Sequence, residues 1–318
     1  MPSPAARLPR PLTPTSRVGV VAPASAARAQ KDAEAGLAAL RARGLRVELH
    51  RPMSPEPVGY LAGDDDARAA ELNAFLRRDD LDALFCLRGG YGVLRLLDRI
   101  DYDAAASHPK LLVGYSDVTA LHLALWTNAG VPGLSGPMVA PDWPTLDAES
   151  EAQFWRLAGG AAPVEIAGPG GEALAGVQDG RTEGVLLGGN LTMVAALLGT
   201  PYLPDLHGAI LFLEEVGEQP YQVDRMLARL RLAGVLGRLG GLVFGAFTDC
   251  EPRSDRPSLP LDAVLDHYAR CVPGPVAKGL VYGHFPRKST LPVGVRARLD
   301  VRAEAGALTV LEPVVCHA

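Results

Sequence analysis

Leu111-Leu112-Val113-Gly114-Tyr115-Ser116-Asp117-Val118-Thr119 is the stretch on which the reading of this chain turns. Its opening apolar residues and glycine read as a short buried strand. The residues after Ser116 read as a helix, with Val118, Leu121 and Leu125 on one face. Ser116 therefore falls on a sharp strand-to-helix turn. Its oxygen is pushed out of the sheet, close to the positive end of the helix and to the free backbone N–H of the next residue. That is the geometry of a nucleophile elbow, and it points to acyl transfer. The pattern departs from G-x-S-x-G in having Val118 at the second glycine position, and a serine at such a junction also serves as a plain helix N-cap.

The flanking sequence alternates strands with helices. Val18 to Ala22 is a strand that stops at Pro23, Ala26 to Arg43 a helix ended by Gly44, and Arg46 to His50 a second strand. Asp64 to Arg78 reads as a helix opened by acidic residues and closed by arginines, as the helix dipole favours. Leu84 to Leu87, Leu111 to Tyr115 and Gly133 to Val139 complete five strands. This alternation implies an α/β fold with a doubly wound, mostly parallel sheet, whose sites lie outside the carboxyl ends of the strands. Pro141 to Gly180, with Gly168-Pro169-Gly170-Gly171, reads as a linker. Beyond it, strands are expected at Glu183–Leu187, Ala209–Leu213, Leu242–Phe247, Val276–Tyr282, Val293–Val301 and Leu308–Leu311, and helices near Leu191–Leu198, Tyr221–Leu232 and Leu261–Cys271. The expected organisation is a disordered tail over 1–16, a nucleophile-bearing domain over 17–140, a linker over 141–180 and a smaller α+β, barrel-like domain over 181–318.

Bulk properties narrow the function. A chain of 318 residues, 48% hydrophobic and 21% charged, is long enough for two packed cores. The net charge of −5 comes from interspersed charges with no basic tract, which disfavours nucleic-acid binding. Cys86, Cys250, Cys271 and Cys316 are scattered, with no pair or His cluster at metal spacing, as suits a reducing compartment. No apolar run has the length of a membrane span, and Val18 to Ala22 is too short for a signal-peptide core. A cytoplasmic protein is expected, without membrane partners.

Arg88-Gly89-Gly90-Tyr91-Gly92 follows a strand and precedes a helical stretch, Val93 to Asp98. Its glycines allow close backbone approach, and an N–H here with that of Asp117 could polarise a carbonyl oxygen. A phosphate loop is excluded by the absence of G-x-G-x-x-G and G-K-[ST]; a simple turn is the plainer alternative. A serine nucleophile needs a base, and histidine suits neutral pH. Among His50, His108, His122, His207, His267, His284 and His317, His284 stands out, held at a strand end between Gly283 and Phe285-Pro286. His122 lies on the helix after the elbow, turned from Ser116 by helical phase. For the carboxylate that fixes the histidine tautomer, Glu214, Glu215 and Glu218 are candidates. Glu214 directly follows the apolar run, whereas a solvated acidic loop is the expected setting of Glu215 and Glu218.

Arg88-Gly89-Gly90-Tyr91-Gly92, Gly114-Tyr115-Ser116-Asp117, Gly188-Gly189-Asn190-Leu191, Leu213 to Glu218 with Pro220-Tyr221 and Asp224-Arg225, and Gly283-His284 occur in this order. Together they resemble the LD-carboxypeptidase family of serine peptidases, over nearly the whole chain. The resemblance implies Ser116 as nucleophile, His284 as general base and acid, and Glu214 as orienting carboxylate. It also implies an oxyanion hole from the N–H groups of Gly90 and Asp117, a site between two domains, a homodimer and no metal or other cofactor. The implied reaction removes the terminal D-alanine of a murein tetrapeptide. Its free carboxylate calls for a cation, and Arg88, beside Gly89 and Tyr91, is the candidate. The microcin-immunity branch, which hydrolyses peptidyl-nucleotide antibiotics, departs from the Arg-Gly-Gly-Tyr-Gly form kept here. Outside that chemistry stand a non-catalytic ligand-binding protein and a cysteine amidotransferase using Cys86, which lies in mid-strand and not on an elbow.

Overall fold

A computed structural model of the chain describes residues 6–51, 57–167, 171, 173–253 and 257–316. Its strands are β1 (Arg17–Val21), β2 (Arg46–Leu49), β3 (Ala83–Cys86), β4 (Leu111–Val113), β5 (Gly133–Ser135), β6 (Val164–Ile166), β7 (Leu174–Gln178), β8 (Gly180–Asn190), β9 (Ile210–Val216), β10 (Gly241–Thr248), β11 (Val276–Lys278), β12 (Leu291–Val293), β13 (Val295–Arg302) and β14 (Ala305–Val310). Its helices are α1 (Gln30–Ala42), α2 (Asp65–Leu76), α3 (Tyr102–Ser107), α4 (Thr119–Ala129), α5 (Ala148–Ala158), α6 (Leu191–Ala196), α7 (Pro220–Leu232) and α8 (Leu261–Ala269).

The first sheet has the order β12-β5-β4-β3-β1-β2. Its first five strands in sequence are parallel, as near-continuous apolar runs joined by helices require. The chain order reverses between β1 and β3, so the loops after β1, β3 and β4 converge at the carboxyl edge, where doubly wound sheets place their sites. The second sheet runs β13-β8-β9-β10-β11-β7-β14, and pairing of β13 with β14 closes these strands into a barrel, with β6 attached outside β14. The fold is thus α/β, with a parallel-rich sheet and a barrel-like second half. Buried apolar side chains from both sheets form one contiguous cluster.

Several expectations are corrected. Val293–Val301 is not one strand: at Gly294, with φ +92°, the chain leaves the first sheet and enters the barrel. A Cβ there would stand 2.6 Å from the Trp126 ring, so both backbone conformation and space require glycine. The consequence is that β12, from the C-terminal third of the chain, pairs antiparallel with β5 and stitches the two halves together. The 141–180 segment is not a linker. It contributes α5 and two strands, and Trp143 is fully buried between Phe85 of β3 and Phe154 of α5. Residues 168–170 of its Gly-Pro cluster lie outside the described residues. Residues 6–16 of the expected tail are packed: Arg7 N donates to Gly130 O, Leu12 N to Ala158 O, and the Leu12 side chain is buried. The first five residues lie outside the description.

The helix after the elbow is buried nearly all round, from Thr119 through Trp126, instead of on one face. His122 is carried inside with it, and its Nε2 lies 2.8 Å from Gly114 O, bracing the strand end before the elbow. Burial pushes its imidazole down from 6.5 to about 4. The unfolded chain therefore takes up a proton near pH 6.5 that the folded protein refuses until about pH 4. Stability is expected to fall across that window on acidification, by on the order of 3 kcal/mol, and to be unaffected by this group above it. Denaturant unfolding at stepped pH checks this: His122→Asn should flatten that part of the acid slope, and an unchanged slope would contradict it.

Candidate active site

Ser116 follows extended Tyr115 with φ +65°, a left-handed conformation unusual for a non-glycine residue. A reversal that tight turns the side chain away from the sheet. Ser116 opens a 3-10 turn, Ser116–Val118, whose N-cap is Tyr115, and the N-cap of α4 beyond it is Val118; neither has a side-chain cap, so Ser116 is not acting as a plain N-cap. Its Oγ lies 3.0 Å from His284 Nε2. His284 Nδ1 lies 2.8 Å from Glu214 Oε2. Glu214 is fully buried toward the end of β9, so its carboxylate oxygens depend on protein donors. A carboxylate only accepts; Nδ1 therefore carries the proton and Nε2 is left to accept from the serine hydroxyl.

The three groups reach one point by different routes. Ser116 is held by the carboxyl end of β4 and Glu214 by β9. His284 is not at a strand end as expected: β11 stops at Lys278, and His284 sits on the loop that follows. That loop is pinned by Ala246 N to Tyr282 O and by Ser289 N to Val281 O. Lys288 anchors it further. Buried Lys288 Nζ donates to Asp142 Oδ1 at 2.6 Å and to the Tyr115 hydroxyl at 2.7 Å, and lies over the Tyr115 ring. The Tyr115 ring in turn packs edge-on against His284, centroids 5.1 Å apart.

The glycine loop passes directly over the serine. A Cβ on Gly89 would fall 2.8 Å from Ser116 Cβ and 3.1 Å from its Oγ, so only glycine fits. Ser25, from the loop after β1, fixes this segment: its N–H donates to Gly89 O and its Oγ accepts from Tyr91 N. Arg68 is fully buried and donates to Pro23 O, Gly63 O and Gly92 O, joining the loops after β1 and β3 to the start of α2. Asp117 Oδ2 accepts from Val93 N at 2.9 Å, tying the elbow to the same loop. Burial pushes the Asp117 carboxyl up to about 6.

The other candidates fall as follows. Arg88 is half-buried and gives one N–H to Ala26 O; burial shifts its guanidinium downward. Tyr91 is exposed and lies edge-on to Tyr60. Glu215 is not in a solvated loop: it is 2% exposed and its two oxygens accept from Asn190, Thr192 and Val216. Cys86 is wholly buried and its thiol is pushed well up by that burial, so thiolate chemistry there is disfavoured. His50 packs on Phe75 and His267 on Tyr268, away from Ser116 in the fold, and His317 lies outside the described residues. Among the described residues no His, Cys, Asp and Glu side chains cluster as a metal site, and no helix is long and apolar enough to cross a membrane. Ser25, Arg68, Asp142 and Lys288 escaped the sequence reading, and Asn190 stood there only within a motif, with no role of its own. Ser25 carries the one usable signal, a polar residue just past a strand end.

The serine elbow, the histidine and the buried carboxylate thus converge between a doubly wound sheet and a barrel. The LD-carboxypeptidase N-terminal domain matches residues 18–136 and the LD-carboxypeptidase C-terminal domain residues 183–299. The chain belongs to the LD-carboxypeptidase family. It is 36% identical to the murein tetrapeptide carboxypeptidase of Pseudomonas aeruginosa, over 89% of this chain and 93% of that one. It is 27% identical to the microcin C7 self-immunity protein of Escherichia coli, over 76% and 77% of the two chains. The crystal structure of muramoyltetrapeptide carboxypeptidase from Oxalobacter formigenes superposes with a TM-score of 0.82 at 32% identity, covering 93% of this chain and 99% of that one.

Gly89→Ala is expected to lower peptidase turnover by about 100-fold, because the added methyl displaces the loop from Ser116 by a fraction of an ångström. Steady-state kinetics beside a thermal melt checks this; wild-type turnover would contradict the close approach of loop and serine.

Proposed function

We propose that this chain is a serine LD-carboxypeptidase that removes the terminal D-alanine from murein tetrapeptide through an acyl-enzyme. The observation that carries the reading is the unbroken hydrogen-bonded chain from Ser116 Oγ through His284 to Glu214. In this reading His284 Nε2 takes the Ser116 proton as Oγ attacks the carbonyl carbon before D-alanine. The oxyanion is received by the N–H groups of Gly90 and Asp117. The resulting imidazolium is stabilised by Glu214 and gives its proton to the departing amine of D-alanine, leaving the shortened peptide esterified to Ser116. Water then attacks the ester with His284 again as base, and the serine is restored.

Arg88 is assigned to the terminal carboxylate of the substrate, since one N–H bonded to Ala26 O leaves others of the guanidinium to donate. Gly89 and Tyr91 are assigned to substrate contacts beside Arg88. The reading includes a homodimer acting in the cytoplasm. A second reading, hydrolysis of peptidyl-nucleotide antibiotics, uses the same residues and is favoured by the microcin-immunity relative. The Arg88-Gly89-Gly90-Tyr91-Gly92 form of the loop favours the murein peptide.

Mass spectrometry of products from murein tetrapeptide, wild type beside Ser116→Ala, tests the proposal. Wild type is expected to release one D-alanine and Ser116→Ala to be slower by about 1,000-fold or more. Equal release by both proteins would contradict Ser116 as nucleophile.

A further inference from the structure

Gly188-Gly189-Asn190-Leu191 is left without a part in this chemistry, although it ends β8 beside Glu214. Asn190 is buried, and its backbone N–H and side-chain amide all have named partners. Its backbone N–H donates to Thr119 Oγ1 at 3.0 Å, across from the barrel to the first turn of the helix behind Ser116. Its side-chain Nδ2 donates to Glu214 Oε1 at 3.2 Å and to Glu215 Oε1 at 2.9 Å. Its Oδ1 accepts from Met193 N at 3.2 Å. Only one orientation of the amide satisfies this set, because both glutamates can only accept and Met193 N can only donate. The preceding Gly189 leaves no room for a side chain: a Cβ there would collide with Thr119 Oγ1.

We infer that Asn190 is a positioning residue of the reaction, holding the Glu214 carboxylate toward His284 while tying it to the helix behind Ser116. The inference rests on the Ser116–His284–Glu214 reading above. Glu214 and Glu215 are consecutive, buried acids, and two buried carboxylates repel each other. Burial first, and the charge of Glu214 in addition, already push the Glu215 carboxyl up. The Asn190 NH2 serves one oxygen of each acid, so it stabilises both as anions and fixes the oxygen of Glu214 that His284 does not use. Lose that donor and the pair binds a proton more readily. A protonated Glu214 would no longer hold a proton on His284 Nδ1, and Nε2 would then cease to be an acceptor for Ser116. The other titratable groups facing this pair are His284, on the second oxygen of Glu214, and Tyr115, Tyr282 and Cys250, none of which donates to the Glu214 oxygen that Asn190 serves.

The test is the rate at which a fluorophosphonate labels Ser116 over a range of pH, with thermal melts, in wild type, Asn190→Asp and Asn190→Ala. Asn190→Ala removes the donor without adding charge; Asn190→Asp keeps shape, the bond to Thr119 and the acceptor for Met193 but exchanges the donor for a third carboxyl group beside the two glutamates, and it serves if Asn190→Ala does not fold. Labelling of both folded variants is expected to slow by about 10- to 100-fold at neutral pH. Its acidic limb is expected to move to higher pH by about one unit. Slower labelling with an unmoved limb would mean that Asn190 is merely structural and would overturn the inference, as would wild-type labelling. Failure of wild type to label at Ser116 would instead remove the nucleophile reading, and the inference with it.

Discussion

Everything at this site hangs on one strained residue. Ser116 is held at φ +65°, a conformation that costs a non-glycine residue roughly 1–2 kcal/mol. The strand before it cannot relax the turn, because β4 lies between β3 and β5 and His122 holds the Gly114 carbonyl. The helix after it cannot relax the turn either, because it is buried from Thr119 through Trp126. A reversal trapped between two immobile elements presents its side chain in one direction. The rest of the proposed machinery has only to arrive there.

It arrives from the other half of the chain, which makes the geometry a property of how the two sheets are joined. β12 extends the first sheet, Lys288 reaches Asp142 and Tyr115, and Asn190 reaches Thr119. These links flank the line from Ser116 to Glu214, so the proposed base and carboxylate are fixed relative to the serine by contacts that do not belong to the reacting groups. Buried ion pairs such as Lys288–Asp142 seldom add net stability, yet breaking one by removing a partner is costly. That combination suits a fastener whose value lies in register.

The sequence made legible whatever depends on local pattern. Apolar runs and their spacing announced the parallel strands, and Gly114-Tyr115-Ser116 announced the elbow because a strand end, a small residue and a helix start coincide there. His284 and Glu214 could be picked from their neighbours, by glycine and proline around one and an apolar run before the other. What local pattern could not carry was burial supplied by distant partners. Nothing in the residues beside Lys288 announces burial, yet it is buried on an aspartate 146 positions away. Glu215 reads as a solvated acid and is enclosed by donors from β8 and α6. The strand break at Gly294 was hidden for the same reason, since the apolar run continues through it and only the Trp126 ring from another element shows why glycine is there. The 141–180 segment lacks strong periodicity, and its strands exist because β11 and β14 offer edges to pair with.

The most direct test of this account is a crystal structure of the fluorophosphonate adduct. The expected result is phosphorus bonded to Ser116 Oγ, His284 still hydrogen-bonded to Glu214, and the phosphonyl oxygen within hydrogen-bond distance of the N–H groups of Gly90 and Asp117. An adduct on another side chain, or one whose phosphonyl oxygen faces away from both N–H groups, would contradict it.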